Sequence, residues 1–131
     1  MNLLGVGIDM IEIHRIERSI ENYGKKFLDR LFTESEQSYC NQHRKPSSNY
    51  AARFAAKEAI AKALGTGFGK HLSWLDIEIS NDALGKPKAS LSQAAKEHFK
   101  NPCILLSLSH TETQACAVAI IQTDTPKRSE T

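Results

Sequence analysis

Residues 53–67, RFAAKEAIAKALGTG, decide the fold of this chain. Alanine is the best helix former, and a glycine such as Gly65 suits the left-handed residue that closes a helix. The stretch therefore reads as a helix whose side chains are small enough for another backbone or a ligand to lie against it. Phe54, Glu58 and Lys62 recur every four residues and share one face, as Arg53 and Lys57 share another. A Glu four residues before a Lys is also the favoured helical pair, worth about 0.2–0.5 kcal/mol. By spacing alone, Glu58 and Lys62 favour a surface salt bridge over the alternative, a metal and phosphate site.

On the N-terminal side, residues 3–13 are aliphatic apart from Asp9 and Glu12 and read as an opening strand. Gly5 and Gly7 weaken that strand and suggest the close approach of a neighbouring backbone. Residues 14–31 change to a helical period through Ile16, Ile20, Phe27, Leu28 and Leu31, with a break near Gly24. Thr33 and Glu36 form a T-x-x-E capping box, so a short helix starts there. The basic loop HRKPSS (43–48) follows, with Ser48 or Asn49 expected to cap the alanine-rich helix.

Beyond Gly69 the pattern turns to strands. Leu75, Ile77 and Ile79 alternate within residues 74–80, and NDALGKP (81–87) carries turn chemistry. Residues 91–100 suit a short helix that stops before Asn101 and Pro102. Strands are expected over 103–109 and 115–123, separated by a polar turn over 110–114. Helices early and strands late favour an α+β fold over a regular βαβ sheet, with helices packed on a mainly antiparallel sheet. One domain is expected over residues 1–123, with 124–131 as a flexible tail.

Composition narrows the classes. The 131 residues carry a net charge of +2, too small for a nucleic-acid footprint. Three cysteines (Cys40, Cys103, Cys116) cannot all pair and form no C-x-x-C, so they read as reduced thiols. Neither a secretory signal nor an apolar run near the ~20 residues of a membrane helix is present, and a cytoplasmic location is expected.

Two phosphate motifs fail on inspection. GTGFGKH (65–71) lacks the first P-loop glycine, has His71 in place of Ser or Thr, and follows a helix instead of a strand. The same glycines miss the G-x-G-x-x-G spacing. Asp9 says more: an unpaired charge inside GVGIDMI is costly to bury, so it either faces solvent or meets something positive. A metal shared with Glu58 is the functional alternative, since Mg²⁺ is held by one or two carboxylates with phosphate oxygens and waters. His110, after the strand in SLSHTET, fits a surface histidine or a phosphate contact with Thr111 beside it. Arg15, Arg18, Lys25, Lys26 and Arg30 are diluted by Glu17, Glu21 and Asp29, a balance better suited to a small acidic protein than to nucleic acid.

Together GVGIDMIEIHRI (5–16), RFAAKEAIAKALGTG, the WLDIEISND…GKP region (74–87) and SLSHTET with ACAVAII resemble the small bacterial holo-(acyl-carrier-protein) synthases, a class of 4′-phosphopantetheinyl transferases. The likeness covers nearly the whole chain. It implies transfer of 4′-phosphopantetheine from coenzyme A to a carrier-protein serine in fatty acid biosynthesis, with release of adenosine 3′,5′-bisphosphate. It implies Asp9 and Glu58 as Mg²⁺ ligands and Lys62 as a phosphate contact that stabilises the transition state. For the base it implies a water or hydroxide relayed by Glu58, or second a direct side-chain base. Arg44 and Lys45, with His110 and Thr111, match contacts to the 3′-phosphate of coenzyme A. Arg53 and Gly65, Thr66 and Gly67 match the nucleotide-facing wall. Arg15, with Lys25, Lys26 and Phe27 extending it, matches the surface that grips the acyl carrier protein. The resemblance also implies a homotrimer with sites between subunits, in which the two 3′-phosphate sets can come from different chains. A Mg²⁺-dependent phosphohydrolase and a non-catalytic carrier-binding module are the alternatives; Asp9, Glu58 and Lys62 together disfavour the module.

Overall fold

The computed structural model describes residues 2–123; the expected tail over 124–131 lies outside the described residues. Strand β1 (Asn2–Glu12) leads into helices α1 (Ile13–Tyr23), α2 (Lys25–Leu31), α3 (Glu34–Asn41) and the long α4 (Pro46–Leu64). A 3₁₀ turn (Trp74–Asp76), the hairpin β2 (Ile77–Asn81) and β3 (Pro87–Leu91), helix α5 (Gln93–His98), and strands β4 (Cys103–His110) and β5 (Gln114–Thr123) complete the chain. The fold is α+β, and its strands are all antiparallel. They form two sheets, a three-stranded one in the order β1-β5-β4 and the β2-β3 hairpin.

The alanine-rich helix lies across the inner face of the larger sheet. Its Ala55, Ala59 and Ala63 are buried, as are Ala115, Ala117, Ala119 and Ile121 of β5. The glycines of β1 explain how close the two backbones come. A Cβ at Gly5 would collide with the Ala63 carbonyl, and one at Gly7 with the Ala59 carbonyl while lying 2.8 Å from the Ala63 nitrogen. Small residues on both elements thus seat β1 directly on α4, and this fixes where Asp9 stands relative to Glu58 and Lys62. At the far end of the helix Gly65 adopts φ 87° and its N–H bonds the Lys62 carbonyl, the expected left-handed close.

Beneath α4 runs a fully buried ion pair. Lys57 Nζ donates to Glu36 Oε1 (2.8 Å), Leu31 O (2.7 Å) and Trp74 O (3.1 Å). Glu36 closes the expected box by accepting from Thr33 N, and its other oxygen accepts from Ile79 N at 2.6 Å. Five segments are tied at one point: the end of α2, the start of α3, α4, the 3₁₀ turn and the middle of β2. Burial lowers the Lys57 pKa, while Glu36 works against that shift.

Several boundaries differ from expectation. Helix α4 begins at Pro46 with Lys45 as its N-cap, so neither Ser48 nor Asn49 caps it; proline's fixed φ suits the first helical position. The strand expected from residue 74 starts at Ile77, because Asp76 Oδ2 accepts from Ser73 N (2.8 Å) and Ser73 Oγ (3.1 Å) and winds residues 74–76 into a turn. Strand β3 was not expected: Pro87 opens it, and only its partner β2 reveals the pairing. Ser92 caps α5, which therefore begins later than residue 91. His110 belongs to the end of β4 and not to the turn.

Candidate active site

Asp9 does not stand alone. Lys62 Nζ donates to Asp9 Oδ1 at 3.1 Å and to the Ile8 carbonyl at 2.9 Å. The salt bridge of Lys62 therefore runs across to β1, and the Glu58–Lys62 pair that the spacing favoured does not form among the described residues. Glu58, one turn earlier on the same face, is half-buried. Desolvation raises its pKa, the Asp9 charge raises it further, and Lys62 opposes both. Two carboxylates thus feel one another's charge with a single ammonium nearby, bonded to Asp9, a site short of positive charge.

That shortage tests the fit of Mg²⁺. The donors are hard carboxylate oxygens, as the ion requires. No group of three or more His, Cys, Asp or Glu side chains converges among the described residues, so further ligands must come from water or substrate. A phosphate-bearing substrate supplies such oxygens.

The second constellation is a cleft of about 890 Å³ lined by His43, Arg44, Lys45, Ser48, Asn49, His110, Thr111, Glu112 and Thr113. Its floor is the start of α4, a 19-residue helix with no side-chain cap and no acid in its first turn. The dipole of such an end favours an anion, and Arg44 and Lys45 add two full charges. The two pairs of residues meet in one chain: Arg44 and Lys45 reach the cleft from before α4, His110 from the end of β4 and Thr111 from the β4–β5 turn. Thr111 Oγ1 accepts from Thr113 N and Gln114 N and holds that turn.

Other expected residues lie apart from the cleft. Arg53 is 3% exposed; its Nη2 donates to Asn81 Oδ1 (2.8 Å), its guanidinium sits 4.2 Å from the Tyr39 ring centroid, and its Nε has no hydrogen-bond partner. It packs inward and lines none of the cleft. Gly65, Thr66 and Gly67 form the turn just past Lys62, beside the acid pair. On the helical surface Lys26 and Phe27 line a groove of about 510 Å³ with Ser19, Tyr23 and Arg30. Arg15 is exposed on α1 outside that groove, and Lys25 is engaged with Asp29 at 2.7 Å. Tyr23, an exposed aromatic that sequence reasoning did not single out, joins Lys26 and Arg30 in the groove. His43 of the basic run HRK also lines the cleft, although only Arg44 and Lys45 of that run were named as phosphate contacts.

Comparison with known proteins places the chain in a family. Residues 5–119 match the 4′-phosphopantetheinyl transferase superfamily. The holo-(acyl-carrier-protein) synthase of Protochlamydia amoebophila (strain UWE25) is 51% identical over 117 residues, covering 89% of this chain and 96% of that protein. The crystal structure of the Helicobacter pylori holo-(acyl-carrier-protein) synthase in complex with coenzyme A superposes with a TM-score of 0.82 at 39% identity, covering 89% of this chain and 99% of that one. The Bacillus anthracis str. Ames synthase in complex with CoA (3′,5′-ADP) gives 0.82 at 37% identity, over 95% and 100%. With a match that spans most of its length and relatives this similar, the chain belongs to the 4′-phosphopantetheinyl transferase superfamily.

Proposed function

We propose that this protein transfers 4′-phosphopantetheine from coenzyme A to a serine of an apo acyl carrier protein, releasing adenosine 3′,5′-bisphosphate and serving fatty acid synthesis in the cytoplasm. The observation that carries the reading is the Asp9–Lys62–Glu58 cluster, two carboxylates and one ammonium seated together where β1 crosses α4. Asp9 and Glu58 are the residues that would hold Mg²⁺, which when bound supplies neutralisation of the pyrophosphate and polarisation of the phosphorus under attack. In the transfer the serine oxygen forms a bond to the phosphorus next to the pantetheine, and the bond from that phosphorus to the bridging oxygen breaks. The leaving bisphosphate takes the electron pair of the broken bond. Lys62 is placed to balance the charge that develops on the phosphate oxygens. Its stem is flexible enough to turn from Asp9 towards them. Glu58 is the acceptor we assign for the serine proton, directly or through one water.

The basic cleft suits the 3′-phosphate of coenzyme A. Ser48 and Glu58 are ten residues apart on α4, an axial separation of about 15 Å. The 3′-phosphate and the pyrophosphate hang from one ribose, a much shorter span. We therefore assign the acids and the cleft of one active site to neighbouring copies. The outer face of the larger sheet supplies a surface for that assembly. Val6, Ile8 and Met10 are 58–62% exposed on β1 and lie beside the half-exposed Cys116, Val118 and Ile120 of β5. An apolar sheet face of this extent marks an interface, and we assign it to a homotrimer. The carrier surface is α1 and α2, where Arg15, Lys26 and Phe27 offer positive charge and an apolar anchor to an acidic helix.

Asp9→Ala and Glu58→Ala test the reading. Both variants should fold and neither should release adenosine 3′,5′-bisphosphate from coenzyme A in the presence of Mg²⁺ and apo carrier. Release persisting in either would remove the metal assignment.

A further inference from the structure

The basic cleft contains a second histidine to which the transfer reaction as described gives no task. His43 stands just past the end of α3, exposed, and it lines the cleft beside Arg44 and Lys45 and opposite His110. Its ring packs on Tyr39 with centroids 4.6 Å apart, and its Nδ1 lies 2.8 Å from the Tyr39 carbonyl. A carbonyl oxygen only accepts, so the proton sits on Nδ1 and Nε2 is left for the cleft. His110 is held in the same tautomer by the Thr111 carbonyl at 3.3 Å. In the neutral state each Nε2 is an acceptor and repels a phosphate oxygen; once protonated each becomes a charged donor.

The charges around the cleft give this change weight. Of the lining residues only Arg44, Lys45 and Glu112 carry fixed charge, which leaves a single net positive charge against a phosphate dianion. Glu17 and Glu21 line the adjoining groove on the far side of Arg44 and Lys45 and dilute them further, while Arg53 is spent on Tyr39 and Asn81. Two imidazolium groups raise the cleft to three positive charges.

We infer that His43 is a specificity residue that reads the 3′-phosphate of coenzyme A through a protonated Nε2, so that preference for coenzyme A over 3′-dephospho-coenzyme A falls as pH rises. The inference rests on the assignment of this cleft to the 3′-phosphate.

Calorimetric titration of the full protein with coenzyme A and with 3′-dephospho-coenzyme A, with Mg²⁺ present, reads the effect as a ratio of affinities. For the natural protein the ratio should be larger near pH ~6 than near pH ~8.5. His43→Gln should lower it about tenfold at the acid end, the worth of one charge-assisted hydrogen bond at an open site, and little at the alkaline end. His43→Arg, which keeps its charge, should hold the ratio high at both. A purely structural role for His43 would not produce that rescue. If the natural protein discriminates but His43→Gln leaves both ratios unchanged, the role of His43 is overturned and the cleft assignment stands. If the natural protein does not discriminate at either pH, the cleft assignment itself falls, and the role of His43 with it.

Discussion

Replacing Lys57 with methionine removes the hub of the fold while keeping its volume. The ammonium makes three hydrogen bonds of 2.7–3.1 Å, one to a carboxylate with no solvent exposure of its own. In Lys57→Met, Glu36 keeps its donors Thr33 N and Ile79 N but loses its counter-charge, and the Leu31 and Trp74 carbonyls lose a donor. Breaking a buried pair by deleting one partner costs about 3–5 kcal/mol, because a charge is left uncompensated in a poorly polarisable interior. Against a total stability of about 5–15 kcal/mol this is a large fraction. In urea, where small domains lose about 1–3 kcal/mol per molar, a cost of that size moves the unfolding midpoint by roughly 2 M. The charge-free double variant Lys57→Met/Glu36→Gln should be more stable than Lys57→Met alone, since the stranded carboxylate is gone. A Lys57→Met midpoint within about 0.3 M of the natural protein, or a double variant weaker than the single one, would refute the reasoning.

Three further outcomes follow from other parts of the molecule. Val6→Glu places a charge on the exposed outer face of β1 and should convert the proposed trimer to monomers in light scattering while circular dichroism stays unchanged; an unaltered mass would remove that face as the interface. Burial pushes the Cys40 thiol up to about 12, so at pH ~8 alkylation should label exposed Cys103 first and reach Cys40 only after unfolding; early labelling of Cys40 in peptide mass spectra would contradict this. Burial tends to raise the Asp76 pKa, but hydrogen bonds from Ser73 and Ser92 outweigh it and hold the value below 3.8. A depressed folded pKa stabilises above the unfolded value and loses its effect as pH falls through the folded one. The stability deficit of Asp76→Asn should therefore be full above pH 3.8 and shrink below it; a deficit constant through that range would exclude the carboxylate's charge as its source.

What was legible in the sequence was carried by local rules. The T-x-x-E box, the break at Gly24, the glycine close of α4 and the approach implied by Gly5 and Gly7 all depend on residues near in sequence or on the absence of a side chain. Asp9 was legible as an anomaly, a charge in an apolar strand. Its partner was not: Lys62 lies 53 positions away, and only the seating of β1 on α4 shows that it leaves Glu58 for Asp9. Strand β3 escaped notice because Pro87 and Lys88 carry little strand propensity, and its pairing with β2 decides the matter. The buried role of Lys57 was equally hidden. A lysine at this spacing reads as surface, and its satisfaction by two carbonyls and Glu36 is a tertiary fact.

The central claim is that these residues move phosphopantetheine onto a carrier protein, and one mass measurement tests it. An apo acyl carrier protein is incubated with this protein, coenzyme A and Mg²⁺, and its intact mass is recorded. Transfer predicts a carrier heavier by one phosphopantetheine group, with no gain in mass when Asp9→Ala replaces the natural protein. Coenzyme A cleaved while the carrier keeps its mass would mean that water is the acceptor, and an unchanged mixture would mean that the protein only binds.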